Sequence, residues 1–195
     1  MNFIDLFPTT IFLKQLKFFD LSLFKDYILN SEIDEGGNNG SMTLEFNILN
    51  NSLFTNLKKD ILDNSKTYLK ELGHIFSDLQ ISDSWGNLHN INEGIHNHCH
   101  TNSYISGCFY VTNGSPIEFQ NPLLEIKGMK SEVSKSKNYR TWDSYTLNPQ
   151  AGLLVIFPSW LNHRVLPSKQ KERISIAFNI LPKGMFGPLA GRINL

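Results

Sequence analysis

Apolar residues fall into two textures along the chain. Over 20–30, "DLSLFKDYILN" places Leu21, Phe24, Ile28 and Leu29 at helical spacing. Over 51–73, "NSLFTNLKKDILDNSKTYLKELG" repeats it more strongly: Leu53, Phe54, Leu57, Ile61, Leu62, Tyr68, Leu69 and Leu72 form one stripe. Ser52 is the expected N-terminal cap and Gly73 the stop. From about residue 79 the period shortens. "LQISDSWGNLH", "SYISGCFYVTN", "IEFQNP", "GLLVIFP" and "RISIAFNIL" are short β-rich runs broken by Gly, Pro, Asn and Ser. The pattern predicts an α+β chain: a helical part over about 1–78, packed on an antiparallel β-sandwich or barrel over about 79–195, in one domain. The polar stretch 127–143 reads as an insertion, either a solvated loop or a lid over a pocket.

Composition narrows the function classes. The 195 residues carry 18 basic and 18 acidic side chains, a formal charge of zero. Phosphate binding usually leaves a basic excess, so a nucleic-acid partner is not expected. Two cysteines make no disulfide framework, and no apolar run approaches a membrane span. A cytoplasmic protein without a membrane partner is the expectation. Oligomeric state is not legible.

Candidate chemistry starts at "GIHNHCHTNS" (94–103), with imidazoles at 96, 98 and 100. In a strand, alternate residues share a face, so two of them can converge on one ion. Parity alone does not choose the pair, and it turns Cys99 to the opposite face. A third imidazole, His163, follows the turn after "GLLVIFP". Ten residues on, period two puts Arg173, Ser175 and Ala177 on one face of "RISIAF" and Ile174, Ile176 and Phe178 on the other. An inward Arg needs a protein carboxylate or a ligand anion, because an isolated buried charge is costly. Its planar fork suits a carboxylate.

This ordered set resembles the iron(II)- and 2-oxoglutarate-dependent oxygenases. The similarity is greatest to a small subfamily of bacteria and marine phages. It rests on "LFPTTIF" (6–12), "WGN" (85–87), "HCHTNSYISGCFY" (98–110), "GLLVIFPSWLNH" (152–163) and "RISIAFN" (173–179). The resemblance implies a double-stranded β-helix (jelly-roll) core with N-terminal helices packed on it. It implies Fe(II) held by His98, His100 and His163, with His96 left out. It implies 2-oxoglutarate anchored by Arg173 with Ser175 beside it, and Tyr110 and Asn87 as further co-substrate contacts. Trp85 lines the pocket or sits in the core. The implied reaction is O2-dependent hydroxylation of a C–H bond in a small molecule or peptide, with succinate and CO2 as co-products. No catalytic side chain is expected beyond the metal site.

The wider superfamily has a carboxylate where this chain has His100. Either His100 ligates, or it stands aside and water or chloride takes the position. Two other readings stay open: a three-His cupin-type dioxygenase without 2-oxoglutarate, and a non-enzymatic metal-binding β-domain.

Overall fold

The computed structural model describes residues 1–17, 19–36, 39–124 and 138–195. Most of the stretch read as an insertion or lid, 127–137, lies outside the described residues. Strand β1 (Phe12–Gln15) leads to helix α1 (Leu21–Leu29), capped by Asp20, whose carboxylate accepts from the Ser22 amide at 3.1 Å. A short antiparallel pair, β2 (Ile33–Glu35) and β3 (Ser41–Thr43), follows. Helix α2 (Thr55–Glu71) begins one turn later than the pattern predicts, because Ser52–Phe54 winds as a tighter 3-10 turn. Ser52 therefore does not cap α2; Asn51 caps the 3-10 turn by accepting from the Leu53 amide. Gly73 ends α2 as predicted. At φ +80° its amide donates to the Lys70 carbonyl, and that of His74 to the Leu69 carbonyl.

The remaining strands are β4 (Asp78–His89), β5 (Ile95–His98), β6 (Ile105–Tyr110), β7 (Ile117–Gln120), β8 (Ser144–Leu147), β9 (Leu153–Pro158), β10 (His163–Val165), β11 (Arg173–Lys183), β12 (Met185–Phe186) and β13 (Ile193–Asn194). They form a seven-stranded antiparallel sheet in the order β1-β9-β6-β11-β4-β3-β2 and a four-stranded one in the order β5-β10-β7-β8. β12 and β13 pair apart. The N-terminal part is thus not purely helical: β1, β2 and β3 extend the edges of the larger sheet. Three or four residues are too few to show a period of two.

Each long strand sorts its side chains between two cores. Ile174, Ile176, Phe178 and Ile180 of β11, Phe109 of β6 and Leu154 and Ile156 of β9 pack against Phe24, Ile28, Leu57, Ile61 and Leu69 of the helices. Aromatic contacts bind this layer, with Phe24 4.8 Å from Phe54 and edge-on to Phe109 at 6.3 Å. The alternate residues Cys108, Tyr110, Val155 and Phe157 instead meet Ile117, Phe119 and Leu161 in a second core on the opposite face. Two glycines permit the close approach of layers. A Cβ on Gly86 would meet Ile28 at 2.9 Å, and one on Gly107 would meet the Phe178 ring at 2.3 Å and the Val155 carbonyl at 2.5 Å. Ser84 of β4 faces the helices and accepts from the Leu49 amide, whereas Trp85, Asn87 and His89 of β4 and Arg173 and Ser175 of β11 lie on the face of the second core. The Arg173–His89, Ser175–Asn87 and Ala177–Trp85 pairs lie side by side there, with Tyr110 flanking Ser175 from β6.

Candidate functional site

Antiparallel pairing explains how histidines far apart in sequence meet. His163, first residue of β10, lies directly across from His98, last residue of β5. Their rings are 4.4 Å apart. His100 reaches the same point from beyond the strand. β5 ends at His98, and the next turn is held by the His100 amide donating to the Ser159 carbonyl at 2.9 Å. The expectation that an extended strand carries both histidines is therefore corrected: a turn pinned to the "FPSW" segment delivers His100. Cys99 is exposed, and so is His96.

The ring nitrogens of His98, His100 and His163 lie within 4.8 Å of one another. His98 Nδ1 donates to the His96 carbonyl at 2.8 Å, and His163 Nδ1 to the Leu161 carbonyl at 2.9 Å. A carbonyl only accepts, so each Nδ1 carries the proton and each Nε2 offers a lone pair. His100 Nε2 stands 3.4 Å from His163 Nε2. Two nitrogens about 2.1 Å from one ion, at right to tetrahedral angles, would lie roughly 3.0–3.4 Å apart. Burial pushes His163 down to about 3 and His100 down to about 4, so both are neutral donors at physiological pH. Phe157 lies edge-on to His163 at 4.7 Å, and Trp85 sits 6.1 Å from His100. Trp85 thus borders the imidazoles while its Nε1 donates to Asn87 Oδ1 at 3.2 Å.

Arg173 occupies the inner face further along β11, 1% exposed. Its Nη1 donates to Ser175 Oγ at 3.0 Å and to His89 Nδ1 at 3.2 Å, and its guanidinium lies 5.2 Å from the Tyr110 ring centre. No carboxylate pairs with it among the described residues. Glu172, the adjacent acid, adopts φ +53°, turns outward and binds Lys25 instead. Among the described residues, Arg173 Nε, Tyr110 Oη and His89 Nε2 are buried without hydrogen-bond partners. Such groups cost about 1–3 kcal/mol each when left bare, more when charged. Two of them, Arg173 Nε and Tyr110 Oη, belong to side chains packed against each other and describe a seat for an anion. Gly114 borders it: a Cβ there would stand 3.3 Å from Arg173 Nε.

His89 and Gly114 escape sequence reasoning. The signal for His89 was present, because the alternation that turns Trp85 and Asn87 inward continues to 89. Gly114 sits in an irregular turn, with no period to read.

A cavity of about 670 Å³ reaches His100 alone of the three imidazoles, bordered also by Leu72, Thr101, Tyr104 and Trp160 among others. A second, of about 610 Å³, lies between the N-terminal segment and β7–β8.

The profile of the family described as "Putative 2OG-Fe(II) oxygenase" matches residues 83–179, from the strand carrying Trp85 through the Arg173 strand. No curated protein sequence matches the chain. Solved structures of similar fold include the viral collagen prolyl hydroxylase of Paramecium Bursaria Chlorella virus-1, at 12% identity and TM-score 0.58, over 87% of this chain and 94% of that one. A Pseudomonas putida prolyl-4-hydroxylase aligns at 14% identity and TM-score 0.58, over 90% and 94% of the two chains. HygX from Streptomyces hygroscopicus, with nickel, 2-oxoglutarate and hygromycin B bound, aligns at 13% identity and TM-score 0.56, over 89% and 83%. At these identities the structures speak for the fold, and the profile spans the imidazole and guanidinium positions. The chain belongs to the 2OG-Fe(II) oxygenase superfamily.

Proposed function

We propose that this chain is an Fe(II)- and 2-oxoglutarate-dependent dioxygenase that hydroxylates a C–H bond of a small molecule or peptide, within a double-stranded β-helix formed by the two sheets. One observation carries the reading: three convergent imidazole nitrogens and a buried guanidinium, unpaired with any acid among the described residues, both pack on the second core. A metal site alone would not need Arg173.

His98 and His163 hold the metal through Nε2, with tautomers fixed by the His96 and Leu161 carbonyls. His100 is the third ligand. Three neutral imidazoles leave the charge of a divalent ion unbalanced, which favours a dianionic co-substrate beside it. Arg173 receives the far carboxylate of 2-oxoglutarate, and its Nε and Tyr110 Oη supply donors that have no other partner among the described residues. Ser175 accepts from Arg173 and keeps its own proton for the ligand. Asn87, fixed by Trp85, lines the space between anchor and imidazoles. Bound iron and 2-oxoglutarate supply the oxidation itself, with O2 consumed and succinate and CO2 released. The chain contributes position, charge and exclusion of water, through Phe157, Trp85 and the second core. The prime substrate enters by the cavity that His100 and Trp160 border.

Anaerobic titration of the Fe(II)-loaded protein with 2-oxoglutarate tests this. The expected result is a weak visible charge-transfer absorbance that saturates with co-substrate. Iron bound without that band would favour the three-His dioxygenase. Failure to bind iron would leave a non-enzymatic domain.

A further inference from the structure

We infer that His89 is a positioning residue for the co-substrate anchor: a neutral acceptor that fixes Arg173 without cancelling its charge. The inference rests on the anchor role of Arg173 proposed above.

A guanidinium is only a donor, so at 3.2 Å from Arg173 Nη1 the His89 Nδ1 must present its lone pair. The ring is then neutral, with its proton on Nε2. A protonated imidazole would offer a second N–H and a second positive charge to the same cation, in a site where neither is exposed by more than 1%. Burial, reinforced by Arg173, also holds His89 down to about 3.

The choice of partner has a consequence. A buried Arg is ordinarily held by Asp or Glu, and such a pair has little charge left for a ligand. Here both acceptors on Nη1, Ser175 Oγ and His89 Nδ1, are neutral. The guanidinium is oriented, yet its full charge remains for an incoming carboxylate. The hairpin joining β2 to β3 holds the ring in place. Gly40 has φ +76°, and a Cβ on it would stand 2.5 Å from His89 Cδ2 and 2.9 Å from Nε2. The Gly40 backbone therefore packs flush on the edge of the imidazole opposite Arg173 and backs the ring against it.

The test compares His89→Asn, His89→Leu and His89→Asp with wild type and Arg173→Ala. Asn places an amide oxygen near the Nδ1 position, Leu removes the acceptor, and Asp puts a carboxylate there. Anaerobic titration gives Kd for 2-oxoglutarate and, separately, for Fe(II). His89→Asn should stay near the wild-type co-substrate Kd. His89→Leu should raise it roughly ten- to hundredfold, the value of a hydrogen bond to a charged group, with Fe(II) affinity unchanged. His89→Asp should raise it at least as far, because the new carboxylate occupies Arg173. Equal damage by Asn and Leu would mean that ring shape matters rather than the acceptor, and would overturn the inference. So would an Asp variant that binds 2-oxoglutarate as tightly as wild type. Should the Asp variant fail to fold, the Asn–Leu comparison decides alone. If Arg173→Ala leaves co-substrate binding intact, the anchor reading itself falls; if Arg173→Ala abolishes binding while all His89 variants bind normally, only the role of His89 falls.

Discussion

At the scale of single residues, three imidazoles have unequal support. His98 and His163 each have Nδ1 tied to a backbone carbonyl two residues earlier. His100 has no such tie, only the 3.4 Å approach to His163 and a turn pinned by Ser159. Loss of His98 or His163 should cost iron affinity more than the roughly 10- to 100-fold typical of losing a supporting hydrogen bond. His100→Ala should weaken iron binding as well. His96→Ala should leave it unchanged, because that side chain is exposed and only its carbonyl serves the site. Calorimetric titration of each variant with Fe(II) under anaerobic conditions checks the ranking. Damage by His96→Ala equal to that by His98→Ala would shift the ligand register by two residues. At Arg173 the expected signature differs: Arg173→Ala should raise the 2-oxoglutarate Kd while Fe(II) affinity stays within error. Substitution by Lys should not restore it, because the planar fork and its bonds to Ser175 and His89 are lost.

At the scale of elements, the site is a product of strand register. His98 faces His163, and Arg173 faces His89, because β5 pairs β10 and β4 pairs β11 in antiparallel ladders. Much of this was legible. Period two in "RISIAF" correctly separates Arg173 and Ser175 from Ile174 and Ile176, and the helical stripe of α2 buries Leu57, Ile61 and Leu69 as read. What was not legible has physical reasons. The strands β1, β2 and β3 are too short to display a period, so the N-terminal third reads as helical. The offset of His100 from β5 depends on a hydrogen bond to Ser159, which is 59 positions away in sequence. The partner of Arg173 is fixed by pairing with β4, which no local pattern reveals. The β2–β3 hairpin gives this scale its own test. Gly40→Ala must tolerate φ +76°, at about 1–2 kcal/mol, and displace the His89 ring. It should lower the urea midpoint modestly and raise the 2-oxoglutarate Kd, with Fe(II) affinity preserved. A variant that loses stability but binds co-substrate normally would uncouple the hairpin from the anchor. Gly107→Ala, between Phe178 and the Val155 carbonyl, should destabilise by about 1–3 kcal/mol or more without a selective effect on either ligand.

At the scale of the whole molecule, the same buried groups tie folding to pH. His89 and His163 are 1% and 4% exposed, and burial holds each near 3, well below the ordinary 6.5. The unfolded chain therefore takes up these protons first as pH falls. Each group withdraws stability below about pH 6.5, at roughly 1.4 kcal/mol per pH unit, until the folded protein protonates near pH 3. Between pH 7 and pH 5 the two together should remove on the order of 4 kcal/mol, a large share of the 5–15 kcal/mol of a typical domain. His100, held near 4, adds in the same direction. The carboxylates with lowered values, such as the exposed Asp5 and Asp20 and the half-exposed Asp78, titrate below this window, so they contribute little to it. Urea unfolding of the metal-free protein at pH 7, 6 and 5 should show a midpoint falling steeply with acid. His89→Asn removes one of the protons taken up, so its curve should be distinctly shallower whatever its stability at pH 7. Excess Fe(II) at pH 7 should raise the midpoint, because the proposed ligands His98, His100 and His163 converge only in the folded chain, and His163→Ala should abolish that rise. A midpoint that stays level from pH 7 to pH 5 in the metal-free protein would show that the two imidazoles are not buried neutral in solution. The tautomers on which the site depends would then be wrong.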